Sequence, residues 1–462
     1  MFQQFVGREK ELEFLENMYN AGLEAQFAVI YGRRRVGKTE LVKTVSSGKP
    51  HVYFLADERG EKENLRELQK AFAVHFQDSL LEKAGFGSWL DLFLEVSKKK
   101  WGKRLIIAID EFPYLIKSDK ATPSVFQKIW DSHLSKKNVL FILLGSSISM
   151  MEKKVLAKNS PLYGRRTGQW KLMPLEFSET RAFLPHWTME EQIKAYSIAD
   201  GIPLYLKKLN HSETINENLA EHVLKNGAFL YEEAEILLKS ELREPANYFN
   251  ILKAIASGKN RFGEIANTTE LEKSKVSKYL SNLIMLHFIQ KEFPVTQKKE
   301  TRNTHYVMTD NYYKFWFRFV YPNKSLILQD MQKTILAQQN NEINMHYSQT
   351  FEQVCLQALW KKNLMKFNYS RIGRWWHKDR EIDIVALNET TKDILFAECK
   401  WQNKVNAEKL LEELKEKSKY VQWHNNERKE HYALFAKSFS KKIDEKNIQL
   451  IGLKDIEKLL KL

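Results

Sequence analysis

A glycine-bounded segment near the N-terminus has the residue types and spacing of a phosphate-binding loop. Residues 32–39 read GRRRVGKT and fit the pattern G-x-x-x-x-G-K-[ST]. The apolar run Phe27–Tyr31 before it is typical of a buried strand, and Glu40–Val45 after it can open a helix. A strand, a loop and a helix N-terminus in this order point successive backbone N–H groups at a phosphate. The segment is therefore predicted to bind the phosphates of a nucleotide.

The distinctive side chains of this loop have predicted tasks. Gly32 and Gly37 bound the loop that cradles the phosphates. Lys38 would reach the β- and γ-phosphates, and the Thr39 hydroxyl would hold Mg²⁺. A basic turn before a helix does not explain two glycines around a Lys-Thr pair, so the nucleotide interpretation is favoured.

An acidic pair supplies the predicted second half of this site. The continuous apolar run Arg104–Ile109 is typical of a strand in a parallel sheet covered on both faces, and it ends in Asp110 and Glu111. Carboxylates at the carboxyl end of such a strand lie beside the phosphate loop. Asp110 is predicted to hold the Mg²⁺ shell. Glu111 is predicted to orient and polarise the attacking water as general base.

Further motifs make the N-terminal half similar to a known family. They are FVGREKEL at 5–12, GRRRVGKT at 32–39, IAIDEF at 107–112, LGSS at 144–147, SPLYGRR at 160–166 and GIPLY at 201–205. Over about residues 1–210 the chain resembles the archaeal-type ATPase family within the AAA+ and signal-transduction P-loop NTPases. The resemblance implies a core that binds ATP with Mg²⁺ and hydrolyses it.

The resemblance also implies roles for residues outside the loop. Gly7 and Arg8 would lie near the adenine. Ser146 or Ser147 would occupy the sensor position that reads the γ-phosphate, although either serine can instead cap the following helix. This serine pair stands where ring-forming AAA+ members have an asparagine, which leaves hexamer formation open.

Two arginines of the SPLYGRR motif are candidates for one further role. By the same resemblance, Arg165 or Arg166 would supply transition-state charge or relay the nucleotide state. The sequence does not choose between them. In a basic chain both can equally be solvated surface charges.

The composition is typical of a multidomain intracellular protein. The chain has 462 residues, room for about three or four domains, and 43% of them are hydrophobic, enough to bury cores. Its two cysteines, Cys355 and Cys399, are too few for a disulfide framework or a metal cluster. The sequence has no signal-peptide pattern and no apolar run of the roughly 20 residues that a membrane span needs. A cytoplasmic protein without a membrane partner is expected.

The charge balance bears on the class of partner. A formal net charge of +15 and a pI near 9.3 favour encounter with polyanions. Much of the excess is lysine in polar helical stretches, which can be no more than a solvated surface. Charge alone therefore does not decide whether nucleic acid is a partner.

Breaks in the pattern divide the chain into four predicted segments, and the predicted fold class is multidomain α/β. The segments are a P-loop ATPase core with a parallel sheet at 1–180, a helical lid at 181–244, a winged helix-turn-helix at 245–322 and an α/β nuclease-like domain at 340–462. Pro245 marks the start of the third segment. The mostly polar stretch Gln332–Asn344 separates the third segment from the fourth.

The third segment has the order of predicted helices and strands that is typical of a winged helix. Three helices and two strands are predicted, at Tyr248–Ala256, Arg261–Asn267, Lys273–His287, Phe288–Phe293 and Thr304–Thr309. In a helix-turn-helix the recognition helix, here the third, enters the major groove of DNA. Five lysines on this helix and on the loop between the strands are candidate DNA contacts: Lys273, Lys275, Lys278, Lys298 and Lys299. Many winged helices serve only as docking or structural modules, and that alternative stays open.

The last segment has the element order and acid spacing of a nuclease. A helix, a strand, a turn, a returning strand and a helix are predicted at Gln349–Leu364, Glu381–Leu387, Asn388–Asp393, Ile394–Lys400 and Ala407–Lys419. An acid on the first strand and E-x-K on the next resemble the PD-(D/E)XK nuclease fold. A domain of this kind commonly lies at the C-terminus of archaeal-type ATPases.

Four residues of this segment form a candidate second active site. Because side chains alternate along a strand, Glu398 and Lys400 point to the same face. A hairpin can bring Asp383 beside them, and Glu352 can approach from the helix. Three carboxylates at one point repel unless a divalent cation neutralises them, so a Mg²⁺ or Mn²⁺ site is predicted, with Lys400 offsetting developing charge or positioning the nucleophile. Alternatively, these residues are relics of the fold in an inactive module, or plain surface charges.

Two functional hypotheses follow from these patterns. The first is an ATP-dependent protein that acts on nucleic acid, with DNA as the expected partner and homo-oligomers left open. The second is a non-nucleolytic signalling ATPase or regulator whose C-terminal modules bind partners.

Overall fold

The computed structural model describes residues 5–242, 244–298, 303–361, 367–441, 443, 445 and 447–460. The chain falls into two units, Met1–Leu175 and Glu176–Leu462. The first unit contains the phosphate-loop motifs, and the second contains the segments predicted as lid, winged helix and nuclease-like domain.

The apolar runs of the first unit form a five-stranded parallel sheet. Its strands are β1 Gln26–Tyr31, β2 His51–Leu55, β3 Leu105–Asp110, β4 Val139–Gly145 and β5 Gly168–Lys171. Their order across the sheet is β2-β3-β4-β1-β5, and every neighbouring pair is parallel. Every residue of β3 and β4 is buried, as expected for central strands covered on both faces. The predicted α/β class with a parallel sheet is confirmed.

Helices alternate with these strands. They are α1 Glu9–Tyr19, α2 Lys38–Ser46, α3 Glu61–Phe76, α4 Ser79–Lys83, α5 Trp89–Lys98, α6 Phe112–Ser118, α7 Thr122–Ile129 and α8 Ile148–Met150, with π-helical turns at Trp130–Leu134 and Met151–Leu156. Aromatic rings fill the core, and the rings of Phe126 and Phe141 stack with their centroids 6.3 Å apart. Because the carboxyl ends of parallel strands meet at one edge of a sheet, the loop after β1 and the tip of β3 share that edge.

The second unit begins with the segment predicted as a helical lid, which is helical. Its helices are α9 Phe177–Thr180, α10 Met189–Ala199, α11 Pro203–Leu206, α12 Ile215–Asn218 and α13 Phe229–Glu241, with a 3₁₀ turn at Arg181–Phe183 and a π-helical turn at Leu219–Val223. In the described part of the chain, no helix combines the length and the apolar character needed to cross a membrane.

Three helices and a strand pair follow, in the predicted order. They are α14 Pro245–Ala256, α15 Phe262–Thr269, α16 Lys273–Met285, β6 Ile289–Glu292 and β7 His305–Met308. The two strands pair antiparallel. On α16, Val276, Leu280 and Leu283 are buried, so the opposite side of this helix faces solvent.

The loop between β6 and β7 is held against a strand that the sequence analysis did not predict. This strand, Arg371–His377, accepts a hydrogen bond at the Arg374 carbonyl from the Val295 backbone N–H, 2.9 Å away. Val295 is buried in the core beside Trp375. The loop was expected to reach phosphates of DNA. Its Val295 end instead packs within the second unit because it carries an apolar anchor.

The stretch Gln332–Asn344, expected to separate two modules, is helical. The helices here are α17 Asn311–Phe315, α18 Lys324–Ile327, α19 Gln332–Gln338 and α20 Asn340–Lys361, with a π-helical turn at Trp316–Val320 and a 3₁₀ turn at Tyr321–Asn323. Ile335 and Ile343 are buried and anchor the polar stretch. Few apolar residues suffice because the remaining Gln and Asn side chains can face water.

A second five-stranded sheet ends the chain. Its elements are β8 Arg371–His377, β9 Arg380–Leu387, β10 Asp393–Lys400, α21 Ala407–Ser418, β11 Lys429–Ala436, β12 Ile448–Ile451 and α22 Leu453–Leu459. The order across the sheet is β12-β11-β10-β9-β8. Strands β8, β9 and β10 pair antiparallel, whereas β10, β11 and β12 pair parallel. The predicted hairpin is thus present as β9 and β10.

Strand β8 was not predicted because the alternation of buried and exposed side chains along it is interrupted. A register shift between Gly373 and Trp375 leaves two consecutive tryptophans, Trp375 and Trp376, both buried. A bulge of this kind removes the period-two pattern by which a strand is recognised in sequence.

A neutral histidine is buried in the second unit. His346 lies on α20, and its Nε2 donates to the Ser197 carbonyl oxygen 2.7 Å away. Its Nδ1 is buried without a hydrogen-bond partner among the described residues. Burial, helped by the nearby charge of Lys314, lowers the pKa of His346 from 6.5 to about 3. Protonation of the His346 Nδ1 would therefore bury a positive charge that has no hydrogen-bond acceptor among the described residues.

The second unit is expected to lose stability on acidification through His346. Because its folded pKa lies below its unfolded value, the neutral ring stabilises the fold fully above pH 6.5, and this stabilisation disappears as the pH falls from there towards 3. The contribution has a slope of at most about 1.4 kcal/mol per pH unit. His346→Gln keeps a donor for Ser197 but cannot titrate. Urea unfolding between pH 7 and 5 should show a shallower pH dependence in the variant, and equal slopes would contradict the assignment.

Candidate functional sites

The loop between β1 and α2 requires its two glycines. A Cβ atom at Gly32 would lie 2.3 Å from the Leu172 carbonyl oxygen, so no side chain fits there. Gly37 has φ +100°, a conformation that L-residues with side chains rarely adopt, and it immediately precedes α2. Both constraints hold the loop in the shape that aims backbone N–H groups outward from the helix N-terminus.

The ammonium group of Lys38 is buried against the backbone of this loop. Its Nζ donates to the carbonyl oxygens of Gly32 and Arg33, each 2.9 Å away. Only charged or strongly polar partners justify burying an ammonium. A phosphate oxygen is such a partner, so the residues present fit a nucleotide phosphate.

Asp110 joins the loop to the acidic strand. This carboxylate is 1% exposed. Its Oδ2 accepts hydrogen bonds from the hydroxyls of Thr39 and Tyr53, both at 2.6 Å, and its Oδ1 accepts from the Glu111 backbone N–H at 2.8 Å. Thr39 and Asp110, predicted to share a Mg²⁺ ion, are thus in direct contact and offer the oxygen donors that Mg²⁺ prefers.

The sequence analysis missed Tyr53. This residue lies on β2, which pairs with β3 so that Leu55 stands opposite Asp110. Burial, together with the hydrogen bond to Asp110, raises the pKa of Tyr53, so its hydroxyl stays a neutral donor. A tyrosine among apolar residues in the strand next to an acidic strand tip was the available signal.

Glu111 is held by Ser146 at the tip of the neighbouring strand. The Glu111 Oε2 accepts from the Ser146 hydroxyl at 2.7 Å and from the Ser146 backbone N–H at 3.2 Å. Ser147 stands at the N-cap position of α8, but its side chain makes no capping hydrogen bond. Of the two candidate sensor residues, Ser146 therefore contacts the predicted general base.

The two candidate arginines have different surroundings. Arg165 donates Nε and Nη2 to the two carboxylate oxygens of Asp131, at 3.3 and 3.0 Å. The charge of Arg166 instead acts on the hydroxyl of Tyr31, the last residue of β1 before the phosphate loop. Arg165 is thus engaged by a carboxylate, whereas Arg166 contributes to the electrostatic surroundings of Tyr31.

Arg8 ties the N-terminal segment to the phosphate loop. Its guanidinium is buried and donates to the carbonyl oxygens of Val36, at 3.1 Å, and Met173, at 2.6 Å. Gly7 and Arg8 both have positive φ angles, which turn the chain into α1. Their predicted position near an adenine stays a prediction.

In the second unit, the E-x-K strand and its neighbour gather the predicted nuclease-like residues. The Asp383 Oδ2 accepts from the Cys399 backbone N–H at 2.8 Å, which places Asp383 beside β10. Glu398 is 2% exposed, and its Oε1 lies 3.8 Å from the Lys400 Nζ. The Glu398 Oε2 is buried without a hydrogen-bond partner among the described residues.

Glu352 approaches these acids from α20. Burial raises its pKa to about 8, with the charge of Asp383 as the next cause, while the Arg374 guanidinium 3.7 Å away opposes the shift. Burial and Asp383 likewise raise the pKa of Glu398 to about 7. Glu352 and Glu398 therefore each interact electrostatically with Asp383. Even so, no group of three or more His, Cys, Asp or Glu side chains in the described ranges is arranged to hold a metal ion, and the second metal site stays a prediction.

Lys417 is a neighbour of this cluster that sequence reasoning missed. Its Nζ donates to the Glu398 Oε1 at 2.7 Å, closer than Lys400. Lys417 follows Leu410 and Leu414 along the buried face of α21 at helical spacing. A lysine on an apolar stripe was the signal that could have revealed it.

The predicted DNA-contacting lysines are exposed where the structure describes them. Lys273, Lys275 and Lys278 lie on the solvent side of α16, and Lys298 is exposed in the loop after β6. Lys299 lies outside the described residues. Their exposure is compatible with nucleic acid and equally with an ordinary solvated helix.

Two family models match the chain. A model described as an ATPase domain predominantly from Archaea matches residues 5–209. A model described as archaeal and bacterial proteins of unknown function matches residues 316–412. The first match contains the phosphate loop and the acidic strand tip, and the second contains Glu352, Asp383, Glu398 and Lys400.

Relatives and solved structures extend this similarity. An uncharacterised protein of Methanocaldococcus jannaschii is 36% identical over 449 residues, which cover 95% of this chain and 97% of that protein. An uncharacterised ATP-binding protein of the same organism is 56% identical over 39 residues, 8% of this chain and 64% of that protein. The Walker-type ATPase of Pyrococcus abyssi is 24% identical, covers 68% of this chain and 96% of its own, and has a TM-score of 0.47. The ORC2 protein of Aeropyrum pernix, solved in ADPNP–ADP complexes, is 14% identical and has a TM-score of 0.44. The match covers 72% of this chain and 96% of the ORC2 chain.

Lys38→Ala is expected to weaken binding of a fluorescent ATP analogue, because it removes a charged donor at the loop. Hydrogen bonds to charged groups contribute about 1.5–3 kcal/mol, which corresponds to roughly 10- to 150-fold in Kd. Lys43→Ala is the matched control: Lys43 is an exposed lysine on the same helix, paired only loosely with Glu40 at 3.5 Å. Equal affinity in the two variants would remove the predicted role of Lys38.

Proposed function

Because this chain belongs to the family defined by an ATPase domain found predominantly in Archaea, we propose that it binds Mg²⁺-ATP at residues 32–39 and hydrolyses it. The observation that carries this proposal is the Asp110 carboxylate, which touches Thr39 at the start of α2 and adjoins Glu111 at the tip of β3. The loop, the oxygens proposed to hold the cation and the proposed general base are thus neighbours at one edge of the sheet.

Each residue of this site has a task that follows from its surroundings. Lys38 binds phosphate oxygens, and Thr39 and Asp110 would hold Mg²⁺, which neutralises phosphate charge when bound. Glu111 orients the attacking water and accepts its proton. Its hydrogen bonds to Ser146 fix the carboxylate in place, so that Ser146 can link the base to the γ-phosphate.

Arg166 is the better candidate for transition-state charge. Arg165 is engaged with Asp131 by two hydrogen bonds. We therefore propose Arg166 for the charge-supplying role.

Glu111→Gln is expected to keep ATP binding and to lower the hydrolysis rate by at least about 100-fold, because the amide cannot accept the proton of the attacking water. The amide oxygen can still accept from Ser146, so the fold should be preserved. Glu58→Gln, at an exposed acid of the same unit, is the control. Phosphate release at saturating ATP, with binding measured separately, checks the assignment; unchanged turnover in Glu111→Gln would refute it.

We further propose that the second unit acts on nucleic acid through the cluster of Asp383, Glu398 and Lys400. Support comes from their proximity: Asp383 contacts the backbone of β10, and Lys400 lies 3.8 Å from Glu398. The lysines exposed on α16 offer a basic approach surface. Lys400 and Lys417 would offset the charge of a bound phosphodiester.

A second candidate function, a regulator that cuts nothing, is favoured by two observations. Glu398 is already paired with Lys417 at 2.7 Å, and the described residues contain no preformed cage for a cation. The loop after β6 is also docked on β8 through Val295. A protein of this kind would use ATP to change how its C-terminal modules bind partners.

A cleavage assay decides between these two functions. Under the first, the full chain with added Mg²⁺ or Mn²⁺ should cut plasmid or single-stranded DNA, and EDTA, Asp383→Ala or Lys400→Ala should abolish cutting. Asp379→Ala, at an exposed acid in the turn between β8 and β9, should cut normally. Equal cutting by all variants, or none by the wild type, would leave the regulatory function.

A further inference from the structure

A cavity of about 980 Å³ lies inside the second unit. It is bordered by the β6–β7 strand pair, the helical segment that follows them, α20 and β8. Its volume is at the upper end of the range for small-molecule sites, about 300–1,000 Å³. No residue considered for ATP binding lines it, but Glu352 and Asp383 of the nuclease-like cluster do, so the inference rests on the function proposed for the second unit.

Two cations face this cavity from one helical segment. Lys314 on α17 and Arg318 in the adjoining π-helical turn are four residues apart, and both line the cavity. Burial lowers the pKa of Lys314 to about 8 and lowers that of Arg318 as well. Among the described residues neither side chain has a carboxylate within ion-pair distance. Glu352 and Glu342 act on Lys314 and Arg318, respectively, only from beyond ion-pair distance. Two half-buried cations that form no ion pair favour an anionic ligand.

Four acids also line the cavity, Asp200, Glu292, Glu352 and Asp383, and none of them forms an ion pair with Lys314 or Arg318 among the described residues. Glu352 raises the pKa of Lys314, but its own ion-pair contact is with Arg374, 3.7 Å away. Arg374 also lines the cavity, as do Lys291 and Arg371. Cations therefore outnumber acids among the described lining residues.

Helix α20 contributes polar and aromatic groups to the cavity lining. Gln349 on α20 lines the cavity, and its Oε1 is buried with no hydrogen-bond partner in the described part of the chain. Trp360, near the end of the same helix, also lines the cavity and is 61% exposed, unusual for so large an apolar ring. An unpaired amide oxygen suits a ligand with hydrogen-bond donors, and an open indole face suits a base, which stacks on aromatic rings.

We propose that this cavity binds the phosphate group of a nucleotide, with Lys314 and Arg318 as its charged ligands and Trp360 against the base. A phosphate combines the negative charge that the cations lack with several acceptor oxygens. A carboxylate would satisfy the charge but would leave the exposed indole unexplained. The nucleotide can be free or can be the end of a nucleic-acid strand.

The test uses the full chain carrying Lys38→Ala, so that the phosphate loop does not contribute, in EDTA and without ATP. Fluorescence anisotropy compares a 3′-labelled oligothymidine with a 5′-phosphate and the same oligomer with a 5′-hydroxyl. The phosphorylated oligomer is expected to bind at least about tenfold tighter. This binding measurement requires neither ATP hydrolysis nor DNA cutting. A negative result in an assay of either activity would therefore be distinguishable from a negative result here.

Variants then locate the phosphate. Lys314→Met and Arg318→Met keep most of the side-chain length and remove the charge, and together they should abolish the preference for the phosphorylated oligomer. Lys333→Met, at an exposed lysine outside the cavity, should preserve it. Competition by deoxythymidine monophosphate would indicate a free-nucleotide site, and its failure a strand-end site. Equal binding of the two oligomers, or a preference that survives the double variant, overturns the proposal.

A labelling experiment on a chain with native Lys314 and Arg318 covers the case in which those variants do not fold. An amine-reactive reagent at pH 8 should modify Lys314, and the phosphorylated oligomer should protect it while Lys333 stays reactive. Mass spectrometry of the digested chain reads both sites. Modification of Lys314 at the same rate with and without the oligomer would also overturn the proposal.

Discussion

The carboxylate of Asp110 is the constraint on which the nucleotide site depends. It is buried at the tip of a central strand, and three donors satisfy it: the hydroxyls of Thr39 and Tyr53 and the backbone N–H of Glu111. Each hydrogen bond to a charged group contributes about 1.5–3 kcal/mol, so the contacts offset the cost of burying the charge. They also fix the distance between the helix that begins at Lys38 and the strand that ends at Asp110. The loop at residues 32–39 and Glu111, the proposed general base, are positioned together for this reason.

The second unit is built around charges that its fold only partly compensates. Glu352 and Glu398 have raised pKa values because burial disfavours their charged forms and Asp383 adds negative charge. Lys314 and Arg318 are shifted in the opposite sense by the same burial. Groups with perturbed pKa values cluster at functional sites. The acids on β9 and β10 and the cations at the cavity are therefore where we propose that this unit binds its ligands.

Several features of the second unit were accessible from sequence, and others were not, for identifiable reasons. The β9–β10 hairpin was predicted because both strands are apolar and a turn separates them. Strand β8 was missed because a bulge at Gly373 interrupts its alternation. The docking of Val295 on β8 was missed because it joins residues far apart in the chain. Lys417 was missed because a lysine on a helix is usually exposed to solvent, and its contact with Glu398 depends on how α21 packs against β10.

The sequence by itself determined the parallel α/β core, the phosphate loop and the acidic strand tip. These depend on local patterns: short apolar runs typical of buried strands, and the G-x-x-x-x-G-K-[ST] spacing around Gly32 and Gly37. Only the tertiary structure decided that Ser146 and not Ser147 holds Glu111, that Arg165 is engaged with Asp131, and that Lys314 and Arg318 face a cavity. Those outcomes depend on contacts between side chains of different helices and strands, and a local sequence pattern does not determine such contacts.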